Sequence, residues 1–102
     1  MVNKMKEIKY YWYGELEILS SSFIMNSQVS YDENNLVHND DKPALTNGRG
    51  GMWWFKHGIC HREDGPAVVN KYSYMYFFEG RYIKDIKSQE EWKRWQKLRI
   101  LL

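Results

Sequence analysis

Cysteine and long apolar runs are both scarce in this chain of 102 residues. Its single cysteine, Cys60, excludes an internal disulfide and fits a reducing compartment. The opening stretch MVNKMKEIKYYWYGELEIL carries charges early and has no long apolar segment, so we expect neither a signal peptide nor a membrane span. The plain expectation is a cytoplasmic protein without a membrane partner.

Charge of one sign is also missing, because the formal net charge is only +2. That value is too small to argue by itself for a nucleic-acid partner. The charges are nevertheless segregated, with acids in the middle of the chain and bases near its end. The acids are Asp32, Glu33, Asp40 and Asp41, and the bases are Lys87, Lys93, Arg94, Lys97 and Arg99.

Aromatic residues are abundant, with eight Tyr, five Trp and four Phe. Aromatic side chains suit pleated, half-buried surfaces, which favours strands. The length suits one small domain, and a hydrophobic share of 43% is enough for a core. We therefore expect a mainly β fold in a single domain over residues 1–102.

One phrase occurs twice, 23 residues apart: LVHNDDKPALT from Leu36 and ICHREDGPAVV from Ile59. The aromatic runs MWWF and MYFF keep the same offset. We read a degenerate unit over 29–51, a clean unit over 52–74 and a truncated unit over 75–84. The residues of the motif are His38, Asp41 and Pro43 in the first copy and His61, Arg62, Asp64, Gly65 and Pro66 in the second.

Each unit holds an aromatic run and an aliphatic run, such as MWWFKHG and GPAVVNK. Two short strands and two turns fit a period of this length, which predicts an antiparallel meander of stacked hairpins over 29–86. We expect one sheet of five to seven strands. The segment 1–28 adds strands less regularly: residues 8–18 alternate as one strand with Gly14 as a possible bulge, and SSFIMNSQVSY forms a second.

The C-terminal stretch changes period. Ser88 followed by Glu91 is a capping box, and Trp92, Trp95, Leu98, Leu101 and Leu102 recur at helical spacing. The acids come first and the bases later, as the helix dipole prefers. This predicts one amphipathic helix over 88–102 that lies on a face of the sheet.

The repeated motif has a structural reason for each residue. An Asp carboxylate accepts backbone N–H groups just downstream of it, Gly65 permits an unusual backbone conformation, and Pro66 suits the start of a strand. His61 can bridge through both ring nitrogens. Because a turn is needed at every bend and a catalytic set normally once, duplication favours architecture; the alternative is that the His and Asp pairs line a shared groove.

The segment HREDGPAVV, with WWFKHG before it and MYFFEGRYI after it, resembles the HR-x-DGPA hairpin repeats of many small bacteriophage and bacterial proteins, which are MORN-variant-like but distant in style from MORN-type repeats. The resemblance covers about 29–95. It implies a phage or phage-derived origin, but the family has no common activity. The first 28 residues lie outside it.

Reactive groupings are weak. His57, Cys60 and His61 fall within five residues, but their spacing is not that of a zinc knuckle, and no second cysteine exists. Adjacent Cys60 and His61 point apart on an extended strand, so they do not form a nucleophile–base pair. We expect no catalytic residues, no metal and no cofactor, and hence no enzyme. If it were an enzyme, His61 and Asp64 would be tested first.

The surplus of aromatic residues over what a small core can hide predicts an interaction surface. Its candidates are Tyr11, Trp12, Tyr13, Trp53, Trp54, Arg49, Lys93 and Lys97. We expect a non-enzymatic module that binds and obstructs a host protein, such as a component of antiviral defence. Alternatives are single-stranded nucleic-acid binding by stacking and the basic helix, and a small-nucleotide sponge with a deep pocket of Trp, Tyr and Arg. Exposed sheet edges also permit a homodimer.

Overall fold

The computed structural model describes residues 7–20 and 27–101. These residues form short strands, mostly antiparallel, and one C-terminal helix, which confirms the predicted mainly β class. The elements in chain order are β1 (Glu7–Trp12), β2 (Glu15–Ser20), β3 (Gln28–Val29), β4 (Leu45–Thr46), β5 (Met52–Trp53), β6 (Phe55–Lys56), β7 (Ile59–Cys60), β8 (Val68–Val69), β9 (Tyr74–Phe78), β10 (Arg81–Ile83) and α1 (Gln89–Leu101).

The strands belong to two sheets, so the expectation of one sheet of five to seven strands is wrong. One sheet has the order β2-β1-β7-β6 and the other β10-β9-β8-β5-β4-β3. The aromatic run from Met52 crosses between them at Trp54, which separates β5 from β6. The Trp54 N–H donates to the Ala67 carbonyl, and the Trp54 carbonyl accepts from the N–H of His61, so Trp54 belongs to neither strand.

The first hairpin corrects the interpretation of Gly14 as a bulge. Tyr13 and Gly14 both have positive φ, 50° and 83°, and they join β1 to β2 as a two-residue turn. Positive φ at both central positions gives the turn that matches the twist of antiparallel strands. The alternating stretch is therefore two paired strands. Of the second predicted N-terminal strand, residues 28 and 29 form β3, and residues 21–26 lie outside the described residues.

The same turn closes two further hairpins. His57 and Gly58 have φ of 48° and 80° between β6 and β7, and Glu79 and Gly80 have φ of 49° and 84° between β9 and β10. Backbone bonds also recur across the two copies. Ala44 N donates to Trp53 O and Ala67 N to Met75 O, both at 2.8 Å. The two donors are 23 residues apart but the two acceptors 22, so these bonds resemble each other without reproducing the sequence offset, and the 23-residue repeat as a unit stays a prediction.

The hydrophobic core draws side chains from both sheets. Its buried members are Ile8, Val37, Ala44, Leu45, Phe55, Cys60, Ala67, Val68 and Phe77. The small Ala44 and Ala67 directly follow the two prolines and are fully enclosed. This places both copies of the repeated motif against one shared interior.

Helix α1 begins where the sequence predicts. The N–H of Glu91 donates to Ser88 Oγ at 3.1 Å, and the Glu91 carboxylate accepts from the N–H of Lys87. Trp92 is fully buried against Tyr76 of β9. Leu98, expected on the buried side, is 54% exposed, so it does not take part in the buried contact that Trp92 makes with the sheet.

The side chain of Leu101 and all of Leu102 lie outside what the structure describes. Across residues 7–20 and 27–101, no helix has the length and apolarity required to span a membrane.

Candidate functional site

His61 holds the turn of a neighbouring hairpin. Its Nδ1 accepts a hydrogen bond from the N–H of Glu79 at 2.8 Å, and its Nε2 lies 3.4 Å from the Glu63 carboxylate. The ring is almost enclosed and meets the edge of Phe78 at 4.7 Å between centroids. Because Nδ1 accepts an N–H, the proton of the neutral ring belongs on Nε2.

His38 does the same in the first copy. Its Nδ1 accepts from the N–H of His57 at 2.9 Å, and its Nε2 lies 3.2 Å from Asp40. The His38 and His57 rings stack at 4.0 Å, and His57 Nδ1 reaches the Asp32 carboxylate at 2.7 Å. Each repeated histidine thus binds the first residue of a two-residue turn, which gives the repeated motif a role in shaping the backbone.

Asp32 and Asn39 perform the turn chemistry that the sequence assigned to Asp41 and Asp64. Asp32 Oδ1 accepts the N–H groups of Asn34 and Leu36, and Asn39 Oδ1 accepts those of the two residues 41 and 42. The hydrogen bond from His57, helped by the two backbone bonds, lowers the pKa of Asp32 below its usual value.

The Arg62 guanidinium contacts an aromatic ring and a backbone carbonyl. Its guanidinium lies 3.8 Å from the centre of the Trp54 ring and donates to the Pro66 carbonyl at 3.0 Å. Burial lowers the pKa of Arg62 from its ordinary value. Gly65 does not have a positive φ, so the expectation that it permits an unusual backbone conformation is wrong. It provides space instead, because a Cβ at this position would lie 3.2 Å from the Arg62 side chain.

Helix α1 fastens the second copy of the motif. The carbonyls of residues 62, 63 and 64 accept side-chain hydrogen bonds from Trp92, Gln96 and Gln89 in that order. Three consecutive carbonyls bound to one helix fix the loop, so His61 and its neighbours cannot be rearranged without moving the helix. The sequence signal that marks this contact is the polar spacing Gln89 and Gln96 beside Trp92, which was missed.

The candidate nucleophile Cys60 is enclosed in this arrangement. Cys60 is buried in the core, and burial raises the pKa of its thiol well above the usual range, so it remains protonated at neutral pH. Among the described residues, no three His, Cys, Asp or Glu side chains are grouped so that they could hold a metal ion.

Side chains alternate between the two sides of β1, so the aromatic residues of the predicted binding surface do not all lie on one side. Tyr11 and Tyr13 are exposed, whereas Tyr10 and Trp12 turn inward and are half-buried. Trp12 packs against Phe77 at 5.2 Å. The aromatic run YYWY therefore contributes to two surfaces on opposite sides of the hairpin.

The other predicted binding residues are dispersed. Trp53 is half-buried beside Trp12 in a cavity, and Trp54 is half-buried beneath Arg62. Arg49 is exposed in the turn before β5, where its N–H donates to Asn47 Oδ1. Lys93 and Lys97 are exposed on α1. Which of them contacts a partner stays a prediction.

A contiguous apolar patch covers the outward side of β1, β2 and β7. In the strand register Leu16 lies opposite Tyr11, Ile18 lies two residues further along β2, and Ile59 of β7 pairs with Tyr11 on its other side. These four side chains are 50%, 36%, 52% and 39% exposed respectively. We call them the outer face.

Sequence reasoning missed Leu16, Ile18 and Ile59. Reading Gly14 as a bulge placed Leu16 and Ile18 on the same side as Ile8, but the turn at 13–14 places them with Tyr11. Gly14 was the available signal, because glycine is favoured at the second central position of the two-residue turn that closes a hairpin.

The outer face continues into a groove of about 480 Å³ beside the turn at residues 79 and 80. Tyr11, Tyr13 and Ile59 form its apolar part, and Glu79 and Arg81 supply charges of both signs. At the other end of the face lies the ion pair of Lys9 and Glu7 at 3.7 Å. The apolar centre thus has a charged rim, the usual anatomy of a protein interface.

Comparison of the chain with protein-family models, with curated proteins and with solved structures finds no match. The resemblance to HR-x-DGPA repeat proteins therefore stays a prediction.

Proposed function

We propose that this chain is a non-enzymatic interaction module that binds another protein through the outer face. The observation that carries the proposal is the placement of four apolar side chains, Tyr11, Leu16, Ile18 and Ile59, on one side of a sheet. An apolar patch of this kind with a polar rim marks an interaction site more often than an isolated exposed leucine does.

A protein suits this surface better than a nucleic acid. The charges around the outer face are of both signs, with Glu7 and Lys9 on one side and Glu79 and Arg81 on the other. A phosphate backbone would need a basic groove. Lys93 and Lys97 belong to α1, whereas the outer face belongs to β1, β2 and β7.

The class of partner that we propose rests on the resemblance. If the chain shares its origin with phage repeat proteins, the partner is a host protein, and the site of action is the host cytoplasm. Obstruction of that protein, such as a component of antiviral defence, is the activity we propose. Binding requires no cofactor and no catalytic residue.

Substitution on β2 tests the proposal. Leu16→Lys and Ile18→Lys place charges in the apolar centre, while both positions are exposed enough for the fold to tolerate them. Tyr72→Lys is the matched control, because Tyr72 is 87% exposed and lies outside the outer face. We expect wild type and control to capture the same protein from a bacterial lysate and the β2 variants to lose it.

The captured protein is then purified and titrated against each variant by calorimetry. Each lysine would leave an unpaired charge in the apolar centre of the interface, so we expect it to weaken binding by about tenfold or more. Equal binding by the β2 variants would contradict the proposal. So would recovery of nucleic acid alone, with affinity falling steeply with salt, or of a second copy of the chain alone by light scattering.

A further inference from the structure

The inward side of the first hairpin holds a second candidate site, independent of the outer face. A cavity of about 360 Å³ lies where β1 and β2 of one sheet approach β4 and β5 of the other. Tyr10, Trp12, Trp53 and Phe55 supply aromatic rings to its lining. We call this group the aromatic cage. Its volume is within the range of small-molecule sites.

The rings of the aromatic cage are held by their packing. Tyr10 meets Trp12 edge to face, with centroids 6.5 Å apart, and leans on the buried Phe55 at 5.5 Å. Trp12 is also braced from behind by Phe77. Rings fixed in this way present their faces without a further ordering cost when a ligand enters.

The charge at the cavity is negative. Glu17 lies directly opposite Tyr10 in the strand register, and Glu15 lies opposite Trp12. Among the described residues, neither carboxylate has a cationic group within 4.0 Å. Burial, together with the charge of Glu17, raises the pKa of Tyr10, in agreement with a local field that disfavours a further negative charge.

The negative charge beside the cavity indicates which class of ligand the cavity can bind. A nucleotide phosphate would meet Glu17 without an arginine in the lining, so the cavity lacks the basic group expected of a nucleotide sponge. A primary ammonium or a guanidinium brings several N–H donors that require acceptors. A quaternary ammonium carries its charge on methyl groups, needs no acceptor, and is attracted by the faces of Trp and Tyr.

We propose that the aromatic cage binds a small quaternary ammonium ion, with Trp12, Trp53 and Tyr10 around the methyl groups and the Glu17 carboxylate beside the charge. Phe55 closes the floor of the site. The outer face lies on the opposite side of the same strands, so the two sites do not compete for side chains.

Choline and its neutral isostere 3,3-dimethylbutan-1-ol test the proposal. The two probes share shape and hydroxyl group and differ in the charge. We expect choline to bind the full chain saturably, with shifts of the Trp12 and Trp53 indole signals in an NMR titration. We expect the neutral isostere to bind more weakly than choline by about tenfold or more, because it lacks the positive charge that the faces of desolvated aromatic rings attract.

Two substitutions separate charge from ring contact. Glu17→Gln on the cavity side of β2 and Trp53→Leu should each weaken choline binding by about tenfold. Glu90→Gln on α1 and the exposed Tyr72→Leu are the matched controls and should leave it unchanged. If Trp53→Leu fails to fold, Glu17→Gln alone decides.

Three results would overturn the proposal: no saturable binding of choline, equal binding of the two probes, or unchanged binding by Glu17→Gln. The outer-face variant Leu16→Lys should bind choline as the wild type does. Failure of this proposal therefore leaves the protein-binding proposal standing, and the reverse holds as well.

Discussion

Replacing His61 by alanine should destabilise the fold far more than the loss of a surface ion pair would. The change leaves the N–H of Glu79 without its acceptor, which costs about 1–3 kcal/mol, and removes a ring contact with Phe78 worth about 0.5–1.5 kcal/mol. The sum is about 3 kcal/mol, or roughly 15 °C in Tm for a domain of this size.

Asparagine at position 61 provides the matched variant. Its Oδ1 occupies nearly the place of the imidazole Nδ1 and can accept the same N–H, so His61→Asn should recover about 1 kcal/mol relative to His61→Ala. Glu63→Ala removes only the contact on Nε2 and should change stability by less than about 0.5 kcal/mol. Thermal unfolding followed by tryptophan fluorescence measures all three.

The order wild type, Asn, Ala tests the backbone role of the histidine. If His61→Ala were as stable as the wild type, the bond to Glu79 would contribute nothing to the fold. If His61→Asn were no better than His61→Ala, the loss would belong to ring packing and not to the acceptor. Either result would refute the reasoning.

Two further predictions concern the turns. The hydrogen bond from His57 lowers the pKa of Asp32, so the ionised carboxylate stabilises the fold at pH values above the ordinary Asp pKa, and that stability is lost as the pH falls through the lowered pKa. Asp32→Asn should therefore flatten the acid side of a plot of unfolding free energy against pH. An unchanged slope would contradict this. Gly14→Ala should lower the free energy of unfolding by about 1 kcal/mol, because alanine disfavours the positive φ at that position. Gly58→Ala should lower it further in a urea titration, since its Cβ would also lie 3.2 Å from Tyr11. Equal losses would show that the structure relaxes this close contact.

Local patterns in the sequence predict the elements well where one signal decides them. The helix start needs only Ser88 and Glu91: Ser88 Oγ makes the expected capping bond, and the Glu91 carboxylate reaches back one residue further, to the N–H of Lys87. The strand character of the aromatic runs is likewise local. These features depend on neighbours in the chain, so a single sequence contains them.

The division into two sheets is not a local property. Met52 to Lys56 reads as one continuous strand, yet Trp54 leaves the ladder because its backbone bonds go to His61 and Ala67, which belong to the segment that follows it. Periodicity along a run reports burial but does not report which sheet accepts each residue. The misplacement of Leu16 and Ile18 has the same origin, since one turn reverses the side on which every later residue lies.

The candidate sites depend on this long-range geometry. The aromatic cage combines Tyr10 and Trp12 with Trp53, which no sequence spacing brings together. In the outer face, Ile59 lies beside β1 because β7 pairs with β1 in parallel. These two strands are far apart in the sequence, so no local pattern predicts that they pair. The roles of His38 and His61 were partly predictable, because their duplication favoured a structural purpose, but their bonds to hairpin turns were visible only in the structure.

The most direct test of the account is the protonation of the histidine rings, measured by ¹⁵N NMR at neutral pH. Our central claim is that His38 and His61 shape the backbone through Nδ1. We predict that both carry their proton on Nε2 and that a scalar coupling links the amide of Glu79 to His61 Nδ1, whereas His57 carries a proton on Nδ1. A proton on Nδ1 of His38 or His61 would contradict the claim.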